Sequence, residues 1–288
     1  MQVHILGNGP ITLALAKRIR NEYRVQIYSD HRNGVTDAGN ILPYKSFLRI
    51  VPKPNDIIFL AWKGLPNDWD IRYVILDQLV DVLGATNSLF NLSSVAVYGN
   101  TVSPAVENQY PDPINEYGRS KHAMETYCDE NFRCVVRHLR ISNVFGDHKF
   151  SDVVNKLLEA GTHNTKLSLF NPNEMIRNYI SLDSVTNLLN MILIRSTLLP
   201  HREIFNIASD FSTNLTEIRN LIELNLGRTI NIVSKEATED TILKSFISNR
   251  KISNLTQFKS MEDLTLRRYI KSFILESQKN EVRNQESQ

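Results

Sequence analysis

Short apolar strands alternating with amphipathic helices predict an α/β fold: a doubly wound parallel sheet with a smaller C-terminal lobe. Three observations carry this expectation. The strand-like runs are continuously apolar, as in strands buried on both faces. Helical periodicity returns between them. A glycine-containing turn joins the first strand to the first helix. With 288 residues and 42% hydrophobic content, the chain can build one large domain or two modest ones around a real core.

The elements follow in order. "QVHIL" is β-rich and ends at Gly7, and "PITLALAKRI" opens with Pro10, suited to a first helical turn, placing Leu13, Ala16 and Ile19 on one face. "RVQIY" (24–28), "DIIFLA" (56–61) and "SLFNLSS" (88–94) read as further strands. Between the last two, "WDIRYVILDQLVDVLG" carries apolar residues at helical spacing and stops at Gly84, a C-terminal cap. "YGRSKHAMETYCDENF" then reads as helix and "RCVVRHLRIS" as strand. In the second half "NYISLDSV" and "EIFNIAS" read as late strands, and "NLTEIRNLIELNLG" as a helix packing elsewhere. The expected organisation is a first domain over 1–147 and a lobe over 148–278, with 178–208 returning to the first sheet. The last ten residues, "KNEVRNQESQ", are almost free of apolar side chains and predict a mobile polar tail over 279–288.

Charge narrows the classes of partner. The 33 basic and 31 acidic residues give a net charge of +2 with no block of one sign, so nothing calls for a nucleic-acid or membrane partner. The start "MQVHILGNGP" lacks a basic segment followed by a long apolar run. "VTNLLNMILI" (185–194) is interrupted by Asn187 and Asn190 and reads as a buried helix, too short to span a bilayer. Cys128 and Cys134 show neither a disulfide framework nor metal-ligand spacing. No metal site is expected, and a reducing cytoplasm fits.

"GNGP" stands where glycines let the backbone approach a pyrophosphate and helix N–H groups face it. Gly7 and Gly9 satisfy a Gly-x-Gly reading, but the third glycine position falls on Thr12, or on Leu13 in the wider spacing. Both a dinucleotide site and a structural turn remain open here. After the second strand, Ser29 takes the place of the usual acid, and Asp30, His31 and Arg32 follow. An acid there holds a ribose 2′-hydroxyl, whereas an arginine pairs with a 2′-phosphate. The arginine tilts the expectation to NADP over NAD.

With ten tyrosines in the chain, the Tyr-x-x-x-Lys of "NEYGRSK" is ordinary by chance. Its context is "NLSSVAVYG" (91–99), which runs off an inner strand at the edge where such sheets bind ligands. From these stretches together with "LRISNVFG" and "RNYISLDSV", the chain resembles the extended short-chain dehydrogenase/reductase family, in particular its nucleotide-sugar epimerases, dehydratases and reductases. The likeness covers most of the chain to about Ala208.

This resemblance implies a Rossmann fold with a substrate-binding lobe, and Ser94, Tyr117 and Lys121 as the catalytic group. It implies cofactor contacts at Gly7, Gly9, Pro10, Ile11, Ser29, Asp30, Arg32, Leu60 and Ala61, besides Tyr117 and Lys121. Asn143 and Arg177 would join Ser94 in binding substrate, Arg177 at the diphosphate of a nucleotide sugar. The chemistry of the residues agrees. A hydride moving at a sugar carbon must be matched by a proton on the attached oxygen, and a phenol near pKa 10 is a poor base unless a cation favours its anion. Lys121 lies one helical turn from Tyr117 and supplies that cation.

Dehydratases of the family follow the catalytic hydroxyl with Asp-Glu, whereas this chain has Val95-Ala96, so dehydration is not expected. The expected reaction is reduction of a 4-keto nucleotide sugar. A 4-epimerase with recycled NAD is the alternative, and a non-catalytic dinucleotide-binding protein is the second. The resemblance also implies a cytoplasmic homodimer supplying a sugar for surface polysaccharide.

Overall fold

The computed structural model describes residues 1–30, 34–64, 71–147 and 150–286. The chain starts at the centre of its large sheet with β1 (Gln2–Leu6), then α1 (Pro10–Ile19) and β2 (Arg24–Ser29). A hairpin of β3 (Gly34–Thr36) and β4 (Gly39–Pro43) and one helical turn, α2 (Tyr44–Phe47), complete that side. The other side is built by β5 (Ile57–Leu60), α3 (Ile71–Val82), β6 (Ser88–Ser94), α4 (Glu116–Asn131) and β7 (Val135–Ile141). The lobe begins with β8 (Asn143–Phe145), α5 (Val153–Thr162), β9 (Leu167–Phe170) and β10 (Ile176–Ser181). From there α6 (Leu182–Ile194) and β11 (Arg202–Ile207) return to the large sheet. β12 (Ser212–Asn214), α7 (Leu215–Leu226), β13 (Ile232–Lys235), β14 (Lys244–Ser245), α8 (Arg250–Thr256) and α9 (Glu262–Glu286) follow.

The large sheet has the order β11-β7-β6-β5-β1-β2-β4-β3, parallel throughout except where β3 turns back on β4. Strand order therefore reverses between β1 and β5. At such a reversal the carboxyl ends of the strands splay their connections apart and leave a crevice.

Alternate residues of each strand feed two cores. Val3 and Ile5 of β1, with Phe59 and Phe90, pack under Leu15 and Ile19 of α1 and Leu188 and Ile192 of α6. Leu6, Ile58, Leu60 and Leu89 point the other way, onto Ile75 and Leu79 of α3 and Met124 and Cys128 of α4. Both faces being covered explains why the strands read as unbroken apolar runs. The buried face of α1 is Thr12, Leu15, Ala16 and Ile19, turned from the expected stripe; Leu13 only edges the core.

In the lobe, β10 pairs antiparallel with β12 and parallel with β8 and β14. A third core gathers Phe145, Leu157, Tyr179, Ile218, Ile270 and Phe273. The run 178–185, expected as strand throughout, ends as strand at Ser181. There the serine hydroxyl accepts the Ser184 N–H at 3.2 Å and starts α6, the usual N-cap behaviour of serine.

Residues 279–286, expected in the polar tail, instead continue α9. Leu266, Ile270, Phe273 and Ile274 anchor the preceding turns in the third core. The Lys, Glu, Arg and Gln that follow propagate a helix already nucleated without needing burial. No described helix is long and apolar enough to cross a membrane.

Candidate active site

The crevice is floored by the glycine turn. Gly7 sits at φ +131°, and a Cβ there would lie 2.7 Å from the carbonyl oxygen of Ala61, so both its conformation and its neighbour require glycine. That approach is fixed by the Ala61 N–H donating to the Leu6 carbonyl at 2.9 Å. Gly9 caps α1 without any side-chain hydrogen bond to the first turn, and Pro10 takes the first helical position. The third glycine position carries Thr12, whose Oγ1 donates to the Gly7 carbonyl at 3.0 Å and the Gly9 carbonyl at 2.8 Å. Thr12 thus ties the turn from within. Uncapped helix N–H groups beside a backbone that no side chain obstructs fit a pyrophosphate.

A cavity of about 470 Å³ runs from this turn across the strand ends. Gly9, Pro10 and Ile11 line one end, Ala61 its floor, and Ser94, Tyr117, Lys121 and Asn143 the other. Leu60 does not reach it: its side chain is fully buried in the core on the α3 side, because strand alternation turns it away from the face that Ala61 continues. Ser29 ends β2 with its hydroxyl 3.4 Å from the carboxylate of exposed Asp30. Arg32, with His31, lies outside the described residues.

The catalytic candidates are brought together by one glycine. Gly118 in the first turn of α4 packs so closely on the 3-10 turn Val95–Tyr98 that a Cβ would lie 2.5 Å from the Ala96 carbonyl oxygen. This contact sets Tyr117 beside Ser94. Asn115 caps the helix start, accepting the Gly118 N–H at 2.8 Å. Ser94 accepts the Ala96 N–H at 3.2 Å. Desolvation raises the pKa of Tyr117, and its hydrogen bond with Ser94 works against that rise.

Lys121 is 5% exposed, and its Nζ donates to the carbonyls of Trp62 at 2.6 Å and Leu92 at 2.5 Å. It holds the ends of β5 and β6 together while keeping its charge 5.7 Å from the Tyr117 ring centroid. Burial lowers its pKa to about 8, against the pull of Glu125.

Glu125, one turn further along α4, makes a buried bidentate pair with Arg140 of β7: Nε to Oε1 at 3.0 Å and Nη2 to Oε2 at 2.7 Å. The guanidinium also lies 4.7 Å from the ring centroid of Tyr98, whose hydroxyl donates to Asn206 at 2.8 Å. The Arg140 side chain of β7 thus joins α4, which carries Tyr117 and Lys121, to the 3-10 turn that follows Ser94.

Arg177 is absent from this cavity. It lines a second one, of about 310 Å³, that shares Asn143 and Val144 with the first. Its guanidinium donates to the carbonyls of Ile176, at 3.4 Å, and Ile242. Among the described residues no carboxylate pairs with it, and desolvation lowers its pKa; a half-buried guanidinium held there by carbonyls favours an anion. Asn143 donates to the Asn178 carbonyl at 3.1 Å. Asn178 itself needs an amide: it donates to the Ser209 carbonyl at 3.0 Å and accepts the Ile247 N–H at 2.7 Å. A carboxylate could not donate the first of these bonds.

A Ser-Tyr-Lys group at the reversal point of a doubly wound sheet, facing an open helix N-terminus, is the arrangement expected from the resemblance to short-chain dehydrogenases/reductases. The chain belongs to the NAD dependent epimerase/dehydratase family, whose model matches residues 61–208. It is an enzyme of the extended short-chain dehydrogenase/reductase type, and its cofactor is a nicotinamide dinucleotide.

No curated protein matches it by sequence. Among solved structures it is similar to the UDP-glucose 4-epimerase of Thermotoga maritima with UDP-glucose (20% identity, 97% of this chain and 99% of that one, TM-score 0.76). It is also similar to the UDP-glucuronic acid 4-epimerase of Bacillus cereus with UDP-glucuronic acid and NAD (16%, 94% and 99%, 0.74). A third is the UDP-N-acetylglucosamine 4-epimerase of Methanobrevibacter ruminantium with UDP-N-acetylmuramic acid (18%, 96% and 98%, 0.75). At these identities the likeness is one of fold.

Proposed function

We propose that this protein is an NAD-dependent 4-epimerase of a nucleotide-activated sugar. The observation that carries the reading is the pair of adjoining cavities. Arg177 offers in one a guanidinium that no described carboxylate pairs with, Ser94, Tyr117 and Lys121 face the other, and Asn143 lines both. A nucleotide sugar bound by its diphosphate at Arg177 presents the sugar to Tyr117.

In the proposed reaction Tyr117 takes the proton of the C4 hydroxyl as the hydride leaves C4. Bound nicotinamide supplies the site that accepts and returns this hydride. Ser94 hydrogen-bonds the C4 oxygen, and Lys121 stabilises the phenolate. The sugar then presents its other face, the hydride returns to C4, and Tyr117 gives the proton back. Val95 and Ala96 follow Ser94 without an acid or base for removing water.

The sequence expectation of a net 4-keto reductase rests on a short chain, the Ser29 to Arg32 stretch and an incomplete glycine set. Thr12 now fills the missing position with two hydrogen bonds of its own, so a loosely held cofactor no longer follows from the sequence. Arg32 lies outside the described residues. The three solved structures named above are of 4-epimerases, and they support internal hydride return. Asp30 at the tip of β2 supports NAD over the expected NADP, since a carboxylate accepts a ribose hydroxyl and repels a 2′-phosphate. The resemblance further supports a cytoplasmic homodimer serving polysaccharide synthesis.

The direct test is incubation of the NAD-loaded protein with UDP-, CDP-, GDP- and dTDP-linked sugars, followed by NMR of the C4 proton. Appearance of the C4 epimer of one substrate is expected. Consumption of reduced cofactor with a 4-keto sugar, and no epimer, would replace this reading with the reductase.

Two further results are expected. Lys121 is charged below its pKa of about 8, so kcat/KM falls as pH rises through about 8, and Lys121→Arg moves that limb to higher pH. Thr12→Val weakens NAD about fivefold in calorimetry, the effect of about 1 kcal/mol from a turn that loses its ties. Unchanged affinity would make the Thr12 bonds incidental.

A further inference from the structure

The cavity lined by Arg177 contains two polar groups without a hydrogen-bond partner among the described residues. Tyr179 of β10 is 1% exposed, its ring belongs to the lobe core, and its hydroxyl has no hydrogen-bond partner among the described residues. Asp152 uses Oδ1 to cap α5, accepting the N–H groups of Val154 at 2.8 Å and Asn155 at 3.1 Å. Its Oδ2 is buried and has no hydrogen-bond partner among the described residues. Both residues line the cavity beside Arg177. Buried polar groups are paired almost without exception, and leaving one unpaired costs about 1–3 kcal/mol, so two around one cavity mark a place for a ligand. Their surroundings agree: burial pushes the Asp152 carboxyl up to about 6 and the Tyr179 phenol well above its ordinary value.

The chemistry of the pair selects the ligand group. An ionised carboxylate only accepts and a phenol donates readily, so the group between them must donate to one and accept from the other. A hydroxyl does both. It must also lie near a phosphate held by Arg177; with the hexose at Tyr117 in the adjoining cavity, the ribose hydroxyls are the ones on the nucleoside side of that diphosphate. We propose that Asp152 Oδ2 and the Tyr179 hydroxyl hold a ribose hydroxyl of the substrate's nucleoside diphosphate, so that the enzyme takes ribonucleotide sugars and discriminates against those lacking that hydroxyl. This rests on the reading of Arg177 as the diphosphate site.

The test measures binding of UDP, CDP and GDP, each beside its 2′,3′-dideoxy analogue, to the NAD-loaded protein by calorimetry. At least one ribonucleoside diphosphate is expected to bind about tenfold or more tighter than its dideoxy partner, the effect of a lost hydrogen bond to a charged group. Asp152→Ser keeps a capping oxygen for α5 and removes the second one; Tyr179→Phe removes only the hydroxyl. Each variant is expected to bring the ribonucleotide down toward the dideoxy affinity while leaving the dideoxy affinity within about twofold. Equal affinities in the wild-type protein, or a full gap retained in both variants, overturns the ribose assignment and leaves Arg177 as the anion site. Failure of UDP, CDP and GDP to bind overturns the ribonucleotide assignment, and failure of dTDP, measured alongside, to bind as well overturns the nucleotide-sugar reading itself.

Discussion

Tyr117→Phe is expected to lower kcat about a thousandfold, the middle of the range for losing a positioned proton-transfer group, while NAD binding stays within about twofold. The substitution removes only the atom that exchanges a proton with the sugar oxygen. Gly118 still packs on the Ala96 carbonyl and Lys121 still bonds Trp62 and Leu92, so the crevice keeps its shape. Calorimetry with NAD alongside turnover assays separates the two effects. A variant retaining more than a tenth of wild-type kcat would mean that another group carries the proton.

The second large effect is on stability. Arg140→Met leaves the Glu125 carboxylate buried without its bidentate partner, and breaking such a pair costs about 3–5 kcal/mol. In a chain of this size that is a fall in Tm on the order of 10 °C. The double variant Glu125→Leu with Arg140→Met removes both charges and is expected to recover most of the loss, since an apolar pair of similar volume costs little. The pH dependence follows from the direction of the shift. Glu125 titrates near 2 in the folded protein against an ordinary 4.5. Its contribution is therefore complete above about 4.5 and disappears as pH falls toward 2. Melting curves across that window should show wild type losing more stability than Glu125→Gln. Equal losses would place the acid-sensitive group elsewhere.

Much of the fold was legible because the strands of the large sheet are buried on both faces and flanked by helices with a clear period. The hairpin of β3 and β4 was not: it is short, lies at the sheet edge and shows little apolar content. Of the site, Ser94, Tyr117 and Lys121 were legible through the resemblance to the short-chain dehydrogenase/reductase family, since a Tyr-x-x-x-Lys spacing is ordinary by chance. The residue that joins them, Gly118, left a weaker trace. A glycine inside a helix is costly, and its presence in "NEYGRSK" marks a close backbone approach that spacing alone does not locate. Asn178 carries no local signal of its role, since its two backbone partners, Ser209 and Ile247, are far away in sequence. Asp152 and Tyr179 each have a bland local reading, a helix cap and a core aromatic. Only the cavity between them shows that each has an atom left over.

The central claim is that the hydride removed from C4 returns to C4 of the same sugar. A nucleotide sugar carrying deuterium at C4, incubated with the NAD-loaded protein and followed by NMR, tests this directly. The account predicts a C4-inverted product that keeps its deuterium, with no reduced cofactor accumulating. Deuterium appearing in free reduced cofactor or in solvent would contradict it.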